Sequence, residues 1–427
     1  MTSRVLPLDG VCVLDMTQLW AGPMTTRMLA SFGATVIKVE SPQRPDSLRT
    51  LGSDLAQRFP DGEPEPDPEN RNAWFNTQNH DKLGVVIDVK QPRGLRLIES
   101  LAKHCQILVS NARAGVMDRL GLGYDRYVEL RGEDAIVVEM SAFGAGGSRG
   151  RLAGFGAQFE AATGAPRLIG ARESPVLTGF AFGDPVGGLV SATAVATAYY
   201  QARRTGRGAY LETSLVEAYM SMIGDVFLDA SAATESTGWG GNRHPAAAPH
   251  GIYPLADQRA YIAIGVGTDQ QWQNLVRCTG IASFASPELV DTAARLRARE
   301  QLDSALSEWT SKHTEVSALV GELQQAGVPA APVADSGMVA RDEFLCSSGF
   351  YTALEHPSTG RHPYPGLPYV LDGSHMPLRN PAPRWGEHTD QVLREFAGID
   401  EEELTSLATD GVIVRGPGAR IEAATGW

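Results

Sequence analysis

Short apolar runs alternate with amphipathic stretches along the first 140 residues. Five of these runs predict strands that are buried on both faces: 11–14, 35–39, 85–89, 106–109 and 135–138. Between the first two, Gly22 and Pro23 predict the start of a helix and Gly33 predicts its end. Strands that alternate with helices in this way predict an α/β fold with a doubly wound, mostly parallel sheet. The loops after its strands then lie along one edge, where ligands bind.

The pattern changes in the second half of the chain. Residues 186–203 predict a helix rich in glycine, alanine and serine, which suits close packing against another element. A new alternation of apolar strands and helices covers about 250–335 and predicts a second, smaller α/β domain. A chain of 427 residues is longer than a single hydrophobic core usually supports, so its length also predicts more than one domain.

Composition narrows the class of protein. A hydrophobic fraction of 43% and a charged fraction of 20% are typical of globular proteins. Apolar runs stay below the roughly 18–20 residues of a membrane span, and the first residues lack the apolar core of a secretory signal. The four cysteines are far apart in the sequence, without the spacing of metal ligands. We therefore expect free thiols, a cytoplasmic location and no metal site.

Charge excludes further classes and marks one segment. The net charge of −13 argues against a general binder of nucleic acids or anionic membranes. Residues 79–119 differ from the rest, because they hold seven basic and four acidic side chains. Such a segment could bind an anionic ligand or could form a solvated helix face, and charge alone leaves both open.

A dinucleotide site is the first candidate for the β-α-β start, with Glu40 as the ribose ligand. A pyrophosphate cradle requires close backbone approach and hence the spacing G-x-G-x-x-G. The turn before the first helix contains only Gly22. We therefore reject a nicotinamide cofactor.

The triplet Gly183-Asp184-Pro185 is a better candidate for chemistry. An aspartate before a proline at the start of a helix has an ordinary interpretation as the residue that caps the helix. It also suits a nucleophile, because a helix N-terminus favours an ionised carboxylate and small neighbours admit a bulky substrate. The triplet alone leaves both interpretations open.

The chain resembles the class III CoA-transferase family, also called the CaiB/BaiF family, which includes formyl-CoA:oxalate CoA-transferases. The resemblance is carried by segments that occur in order along nearly the whole chain: 14–17, 21–23, 32–40, 79–82, 88–92, 111–115, 119–121, 183–185, 204–208, 212–218, 327–333 and 386–388. None of these segments is decisive alone, but their order is specific.

The resemblance implies a function and a site. Asp184 would be the nucleophile of an acyl-CoA:carboxylate CoA-transferase, acting through mixed anhydrides and an aspartyl-CoA thioester. The substrates would be an acyl-CoA donor and a carboxylic acid acceptor, with no tightly bound cofactor. Nine residues would line the CoA site: Gln18, Leu19, Trp20, Ala21, Ile87, Lys90, Asn111, Ala112 and Arg119. Lys90 and Arg119 would meet phosphates.

The resemblance also implies an architecture. A Rossmann-like large domain would comprise residues 1–225 and a returning C-terminal segment, 340–427. Residues 226–339 would form the small domain with its linkers. Two such chains would interlock as a homodimer.

Two departures from the family pattern bear on the reaction. The racemases of this superfamily carry a Gly-His-Asp triplet about thirty residues before the aspartate, where this chain has Gly154, Phe155 and Gly156. Phenylalanine cannot carry a proton, which favours transfer over racemisation. Ser41 stands where some members have an arginine that meets a phosphate.

Two alternatives stay open from the sequence. An acyl-CoA racemase or isomerase would need another acid or base near Asp184, and Glu160 is the acid to test. A non-catalytic CoA-binding homologue would keep the ligand site without turnover.

Overall fold

The computed structural model describes residues 5–50, 67–150, 152, 154–170, 174–232, 241–416 and 421. The chain divides into two compact units. The first comprises residues 1–163, 179–227 and 343–427, and the second comprises 164–178 and 228–342. The sequence assigned 164–178 to the large domain, whereas this division groups it with the second unit.

The strands are numbered in chain order: β1 (Cys12–Asp15), β2 (Thr35–Glu40), β3 (Lys82–Ile87), β4 (Ile107–Ser110), β5 (Ile136–Ser141), β6 (Ala209–Ser214), β7 (His250–Pro254), β8 (Tyr261–Gly265), β9 (Ala330–Pro332), β10 (Tyr351–His356), β11 (Gly360–Pro365), β12 (Val370–Leu371), β13 (Ser374–His375) and β14 (Ile413–Val414).

The helices of the described residues are α1 (Ala21–Ser31), α2 (Ser47–Thr50), α3 (Ala73–Asn79), α4 (Pro92–Ala102), α5 (Val116–Arg119), α6 (Tyr124–Arg131), α7 (Gly156–Ala162), α8 (Ala165–Ile169), α9 (Gly183–Thr205), α10 (Leu215–Met222), α11 (Gly224–Ala232), α12 (Asp269–Thr279), α13 (Thr292–Arg297), α14 (Arg299–Thr310), α15 (Val316–Gln325), α16 (Ser336–Ala340), α17 (Glu343–Ser347), α18 (Thr389–Ala397) and α19 (Glu401–Thr409). Short 3₁₀ turns cover Pro68–Asn70, Ala282–Ala285 and Pro287–Leu289.

A seven-stranded sheet forms the centre of the first unit, in the order β14-β3-β2-β1-β4-β5-β6. Strands β1 to β6 are parallel, and only β14 runs antiparallel, at the edge beside β3. The strand order reverses between β1 and β4. In a doubly wound sheet this reversal opens a crevice outside the carboxyl ends of the two strands.

Helices cover both faces of this sheet, as the sequence predicted. On one face, α4, α6, α18 and α19 pack against the strands around Leu108, Leu101 and Val392. On the other, α1, α9 and α10 pack around Val13, Val109 and Val195. Because both faces are covered, the central strands read as continuous apolar runs.

The fold class predicted from the sequence is confirmed by this mixed α/β architecture. The predicted strands occur within a few residues of their expected bounds. Strand β6 was missed, since its sequence from Ala209 to Ser214 is polar and its burial alternates, as is usual for an edge strand.

Helix α9 lies directly against α1, and glycines permit this approach. A Cβ atom at Gly188 would lie 2.8 Å from the carbonyl oxygen of Ala21 and 2.8 Å from Met24 Cβ. The hydroxyl of Thr25 donates to the Gly188 carbonyl at 3.0 Å. This close packing brings the first turns of the two helices together.

The second unit has its own core. Strands β7, β8 and β9 form an antiparallel sheet. Helices α12, α14 and α15 pack on it through Trp272, Leu306 and Leu323, which are almost completely buried. A separate core of this kind agrees with the smaller α/β domain that the sequence predicted.

Two cysteines that are distant in sequence are neighbours in the sheet. Cys12 begins β1 and Cys105 precedes β4, and their Sγ atoms are 2.9 Å apart. Both are free thiols.

A helix that crosses a bilayer needs about 20 consecutive, mostly apolar residues. Of the helices in the described part of the chain, none is both long and apolar enough to cross a membrane.

Because α1 and α9 pack closely, a glycine-to-alanine substitution at this contact should destabilise the protein, whereas the same substitution in an open part of another helix should stabilise it. Gly188→Ala should lower the free energy of unfolding by about 1–3 kcal/mol, because the new methyl group must displace the Ala21 carbonyl. Gly321→Ala in α15 has nothing within 4 Å of the new methyl group and should raise it by about 0.5–1 kcal/mol. Thermal unfolding of both variants measures the difference, and a Gly188→Ala protein as stable as Gly321→Ala would contradict this packing.

Candidate active site

The candidate site lies at the reversal of strand order. The loop after β1 leads through Gln18, Leu19 and Trp20 into α1, which begins at Ala21. Asn111 follows β4 directly on the other side of the crevice. These two loops and the first residue of α1 hold six of the nine residues that the family resemblance placed in the CoA site.

Asn111 joins the two loops through its side chain amide. The Gln18 N–H donates to Asn111 Oδ1 at 2.9 Å, and Asn111 Nδ2 donates to the Gln18 carbonyl at 2.7 Å. Both polar ends of the Asn111 side chain are thus bonded to main chain. In this structure Asn111 fixes the loop, and its contact with a ligand stays a prediction.

Buried charges lie beneath the loop after β1. Lys82 Nζ lies 3.1 Å from Asp15 Oδ2, and Lys38 Nζ lies 3.0 Å from Asp46 Oδ2, with all four side chains fully buried. Burial alone would raise the pKa of Asp15, but the two lysines and two threonine hydroxyls lower it below its usual value. Asp46 and Asp15 in turn raise the pKa of Lys38 against the effect of its burial. These shifts favour the ionised forms of Asp15 and Lys38, whereas burial lowers the pKa of Lys82 to about 8.

A third pair extends this network. Arg49 donates to both carboxylate oxygens of Glu40, the shortest contact being 2.8 Å, and burial leaves both side chains almost without solvent exposure. Burial would raise the pKa of Glu40, but Arg49 holds it below its usual value. Glu40 is thus a structural group here, which agrees with the rejection of a ribose ligand at this position.

Asp184 is the second residue of α9, so it is not the residue that caps the helix. Phe182 occupies the capping position, and no side chain caps the helix there. The Asp184 carboxylate instead lies near the Ala21 N–H, at the first turn of α1, which favours its ionised form. Asp184 is therefore part of the N-terminal end of α9, and its carboxylate lies near the N-terminal end of α1.

Burial controls the charge of Asp184. Desolvation raises its pKa to about 7, while the Ala21 N–H acts in the opposite direction. The sequence predicted that the helix end would keep this carboxylate ionised, but desolvation outweighs that effect. Near neutral pH the group holds both forms, which is a property of many catalytic acids and bases.

Gly156, the last residue of the segment 154–156, lies beside Asp184. A Cβ atom at Gly156 would lie 3.1 Å from Asp184 Oδ2. Phe155 is 55% exposed, whereas Glu160, in the next turns of α7, is only 1% exposed. This segment gives Asp184 no imidazole neighbour, and Glu160 is inaccessible to a substrate.

The remaining candidates for the CoA site are spread along the carboxyl edge of the sheet. Lys90, after β3, and Arg119, in α5, are exposed cations, and Ala112 is half-buried. Trp20 packs edge-to-face on Trp74, with ring centres 5.0 Å apart. The Ile87 side chain is fully buried in the apolar core, so it offers no surface to a ligand.

The structure divides the basic segment 79–119. Lys82, one of the seven basic residues of this segment, is fully buried and donates to Asp15, Thr26 and Asn79. It therefore belongs to the scaffold. Lys90 and Arg119 stay available on the edge of the sheet.

Sequence reasoning missed a cation near Ser41. Ser41 pairs with Arg44 through a backbone bridge, and Arg44 is exposed. The Arg44 carbonyl accepts from Gln18 Nε2 at 3.3 Å, so this turn adjoins the candidate loop. A basic residue four positions after the strand was the available signal.

Asp46 and Lys38 were also missed. A lysine inside the apolar strand β2 was the available signal, because a charged residue at a buried position requires a partner. The acid that pairs with it could not be chosen from the sequence, which offers 50 acidic residues.

Transfer from a thioester requires amides that stabilise the developing negative charge on oxygen, and the glycine-rich segments 142–147 and 240–241 are candidates for them in the sequence. The Ala145 N–H is already bonded to the Glu212 carboxylate. Gly240 lies outside the described residues. The amide that the structure does bring to Asp184 is that of Ala21.

Comparisons with known proteins identify the family of this chain. Residues 8–389 match the family described as CoA-transferase family III. A succinyl-CoA:glutarate CoA-transferase from Homo sapiens is 26% identical over 418 residues, which cover 96% of this chain and 91% of the relative. A formyl-CoA:oxalate CoA-transferase from Rhodopseudomonas palustris strain HaA2 is 27% identical over 429 residues, which cover 95% and 97%.

A solved structure supports the same assignment. The crystal structure of a CaiB/BaiF family protein from Brucella suis superposes with a TM-score of 0.82 at 27% identity. The match covers 92% of this chain and 100% of that chain. Because the family match extends from the first strand of the sheet to the start of α18, the chain belongs to CoA-transferase family III and is an enzyme of that family.

Proposed function

We propose that this enzyme moves CoA from an acyl-CoA donor to a carboxylic acid acceptor through a covalent intermediate on Asp184. The observation that carries the proposal is the position of the Asp184 carboxylate. It lies between the Ala21 amide and Gly156, in a partly buried site at the crevice where ligands bind in doubly wound sheets. Covalent catalysis by a carboxylate divides one difficult transfer into easier steps.

The first half of the reaction loads the enzyme. The ionised Asp184 attacks the thioester carbonyl, the C–S bond breaks, and CoA leaves as a thiolate while a mixed anhydride forms. The thiolate then attacks the aspartyl carbonyl of the anhydride. This releases the donor's acid as a carboxylate and leaves CoA on Asp184 as a thioester.

The second half reverses these steps with a new acid. The acceptor carboxylate attacks the aspartyl thioester, and a second anhydride and CoA thiolate form. The thiolate attacks the acyl carbon of the acceptor, which yields the new acyl-CoA and the free Asp184 carboxylate. Atoms and charge balance without any metal or redox group.

Lys90, Arg119 and Arg44 are the cations that we assign to the phosphates of CoA. All three are exposed on the carboxyl side of the sheet, on either side of the loop that carries Gln18. β3 and β4 are separated by two strands, so their ends lie about 14 Å apart, which an extended nucleotide can span. CoA is thus a substrate held at the sheet edge.

Intact mass spectrometry after mixing with an acyl-CoA tests the intermediate. We expect an increase in mass by one CoA moiety, located on Asp184 by peptide mapping. Deuterium uptake at the α-carbon without CoA exchange would instead support an isomerase. Binding of CoA with neither signal would support a non-catalytic homologue.

The pH dependence of loading follows from the ionisation of Asp184. Only the carboxylate attacks, so the rate of thioester formation should rise about tenfold per pH unit below about 7 and level off above it. Stopped-flow release of CoA between pH 5 and 9 measures this. A rate that is constant over this range would contradict a nucleophile with a raised pKa.

Asp184→Asn should have opposite effects on turnover and stability. Loss of the nucleophile should lower transfer at least ~1000-fold. The raised pKa means that the folded protein binds the Asp184 proton more tightly than the unfolded chain, so its stabilising effect is complete below about pH 4 and is lost as pH rises through about 7. The variant should therefore melt at a higher temperature than wild type at pH 8, and this gap should close on acidification.

The matched control for this prediction is Asp257→Asn, at an exposed position of the second unit. It should change neither transfer nor melting. Equal melting curves of wild type and Asp184→Asn at pH 8 would show that Asp184 is not desolvated.

We also propose that two chains form a homodimer, interlocked as the family resemblance implies. Helix α11 buries none of its residues, and Met222 and Leu228 are 67% and 72% exposed. A nine-residue helix without a packed face is only marginally stable in water. Contact with a partner chain would explain why this segment is helical.

Sedimentation or light scattering should give about twice the mass of one chain. Leu228→Glu together with Met222→Glu should shift this toward the monomer, because two charges would enter an apolar interface. The control Val290→Glu changes another exposed apolar residue, 64% exposed, and should leave the mass unchanged. A wild-type protein that sediments as a single chain would contradict the homodimer.

A further inference from the structure

Leu19 has a backbone conformation that an L-residue seldom adopts. Its φ angle is +64°, in the left-handed region, where a side chain other than glycine costs about 1–2 kcal/mol. Leu19 stands in the middle of the loop after β1, two residues before the amide that lies near Asp184. Strain that persists next to a candidate nucleophile requires other contacts to hold it.

Three side chains hold the main chain of this loop. Lys38 Nζ donates to the Thr17 carbonyl at 2.9 Å, and Asn111 makes its two bonds to the main chain of Gln18. The Leu19 N–H donates to Asp46 Oδ1 at 3.1 Å. The last of these bonds is the one that acts on the strained residue itself.

Asp46 is rigidly anchored on its other side. Its Oδ2 accepts from Lys38, and its Oδ1 also accepts from the Leu48 N–H at 3.1 Å. Its own N–H donates to Glu40 Oε1 at 3.1 Å, and Glu40 is held by Arg49. With no solvent exposure and a partner on each oxygen, Asp46 cannot move with the loop.

We propose that Asp46 is a positioning residue for the nucleophile: by holding Leu19 in the left-handed conformation, it directs the Ala21 N–H to the Asp184 carboxylate. Asp46 acts through the loop, since its bonds are to Leu19 and to the scaffold. Trp20 is the N-cap residue of α1, and its side chain does not cap the helix. The direction of the first N–H groups of α1 therefore depends on the loop. The inference rests on the proposed role of Asp184.

The test measures the protonation of Asp184 and not turnover alone. The Ala21 N–H lowers the pKa of Asp184, so turning this amide away should move the acid limb of thioester formation to higher pH. In Asp46→Asn we expect a shift of about one pH unit, hence about tenfold slower loading at pH 6. Tyr127→Phe removes one buried hydrogen bond elsewhere in the same unit and is the control for lost stability, with an unchanged midpoint.

Rescue distinguishes positioning from support of the fold. Glycine adopts φ near +64° without strain. Leu19→Gly in the Asp46→Asn background should therefore return at least half of the shift in midpoint, although it restores no contact to Asp46. A double variant with the same midpoint as Asp46→Asn would overturn the proposal, as would Asp46→Asn with the wild-type midpoint.

Leu19→Pro tests the same link without touching the buried ion pair. Proline cannot adopt a positive φ and has no N–H for Asp46, so this variant should reproduce the shift while Lys38 and Asp46 stay paired. It serves as the decisive variant if Asp46→Asn does not fold. A wild-type midpoint in folded Leu19→Pro would overturn the proposal.

A second readout separates this inference from the proposed reaction. The difference in melting temperature between each background and its Asp184→Asn derivative, followed from pH 4 to 9, reports the protonation of Asp184 whether or not the enzyme reacts. If wild type forms no adduct on Asp184, the proposed reaction fails, while a shifted difference in Asp46→Asn still supports positioning. An unshifted difference overturns the positioning role even where the adduct forms.

Discussion

The buried ion pairs beneath the loop after β1 are the constraint on which the site depends. Asp15 with Lys82, and Lys38 with Asp46, join neighbouring strands of the sheet to the loop above them. Buried pairs of this kind contribute little net stability, because desolvation offsets their attraction, but removal of one partner is strongly destabilising. Their effect is to select one arrangement. Here the selected arrangement fixes where α1 begins and which way its first amides point.

Close packing of glycines transmits this arrangement to Asp184. Gly188 lets α9 contact the first turn of α1, and Gly156 leaves room beside the carboxylate. The result is a carboxyl group at a helix end that would favour its charge, in surroundings that disfavour it. Desolvation dominates and holds the pKa of Asp184 near 7. Burial therefore disfavours the ionised form of Asp184, which is the form that the proposed reaction requires.

Many of the segments that carry the family resemblance serve the scaffold. Lys82 bonds to Asp15 and Asn79, and Asp81 accepts from the main chain of Arg379 and Asn380. His388 accepts from the Gly84 N–H. Such contacts tie the C-terminal segment to the sheet. The order of these segments along the chain thus reflects a common structural framework.

The sequence by itself determined the doubly wound sheet, both of its helical layers and Asp184 as the residue to test. Apolar runs and helix-start signals are local, so they can be recognised without contacts. Only the tertiary structure decided that Asp184 meets Ala21 and Gly156, that Ile87 is buried in the core and that Lys82 pairs with Asp15. The strained Leu19, held by Asp46, also emerged only there. Each of these depends on groups brought together from distant parts of the chain, and no local pattern specifies which partner a buried charge or an unpaired amide will find.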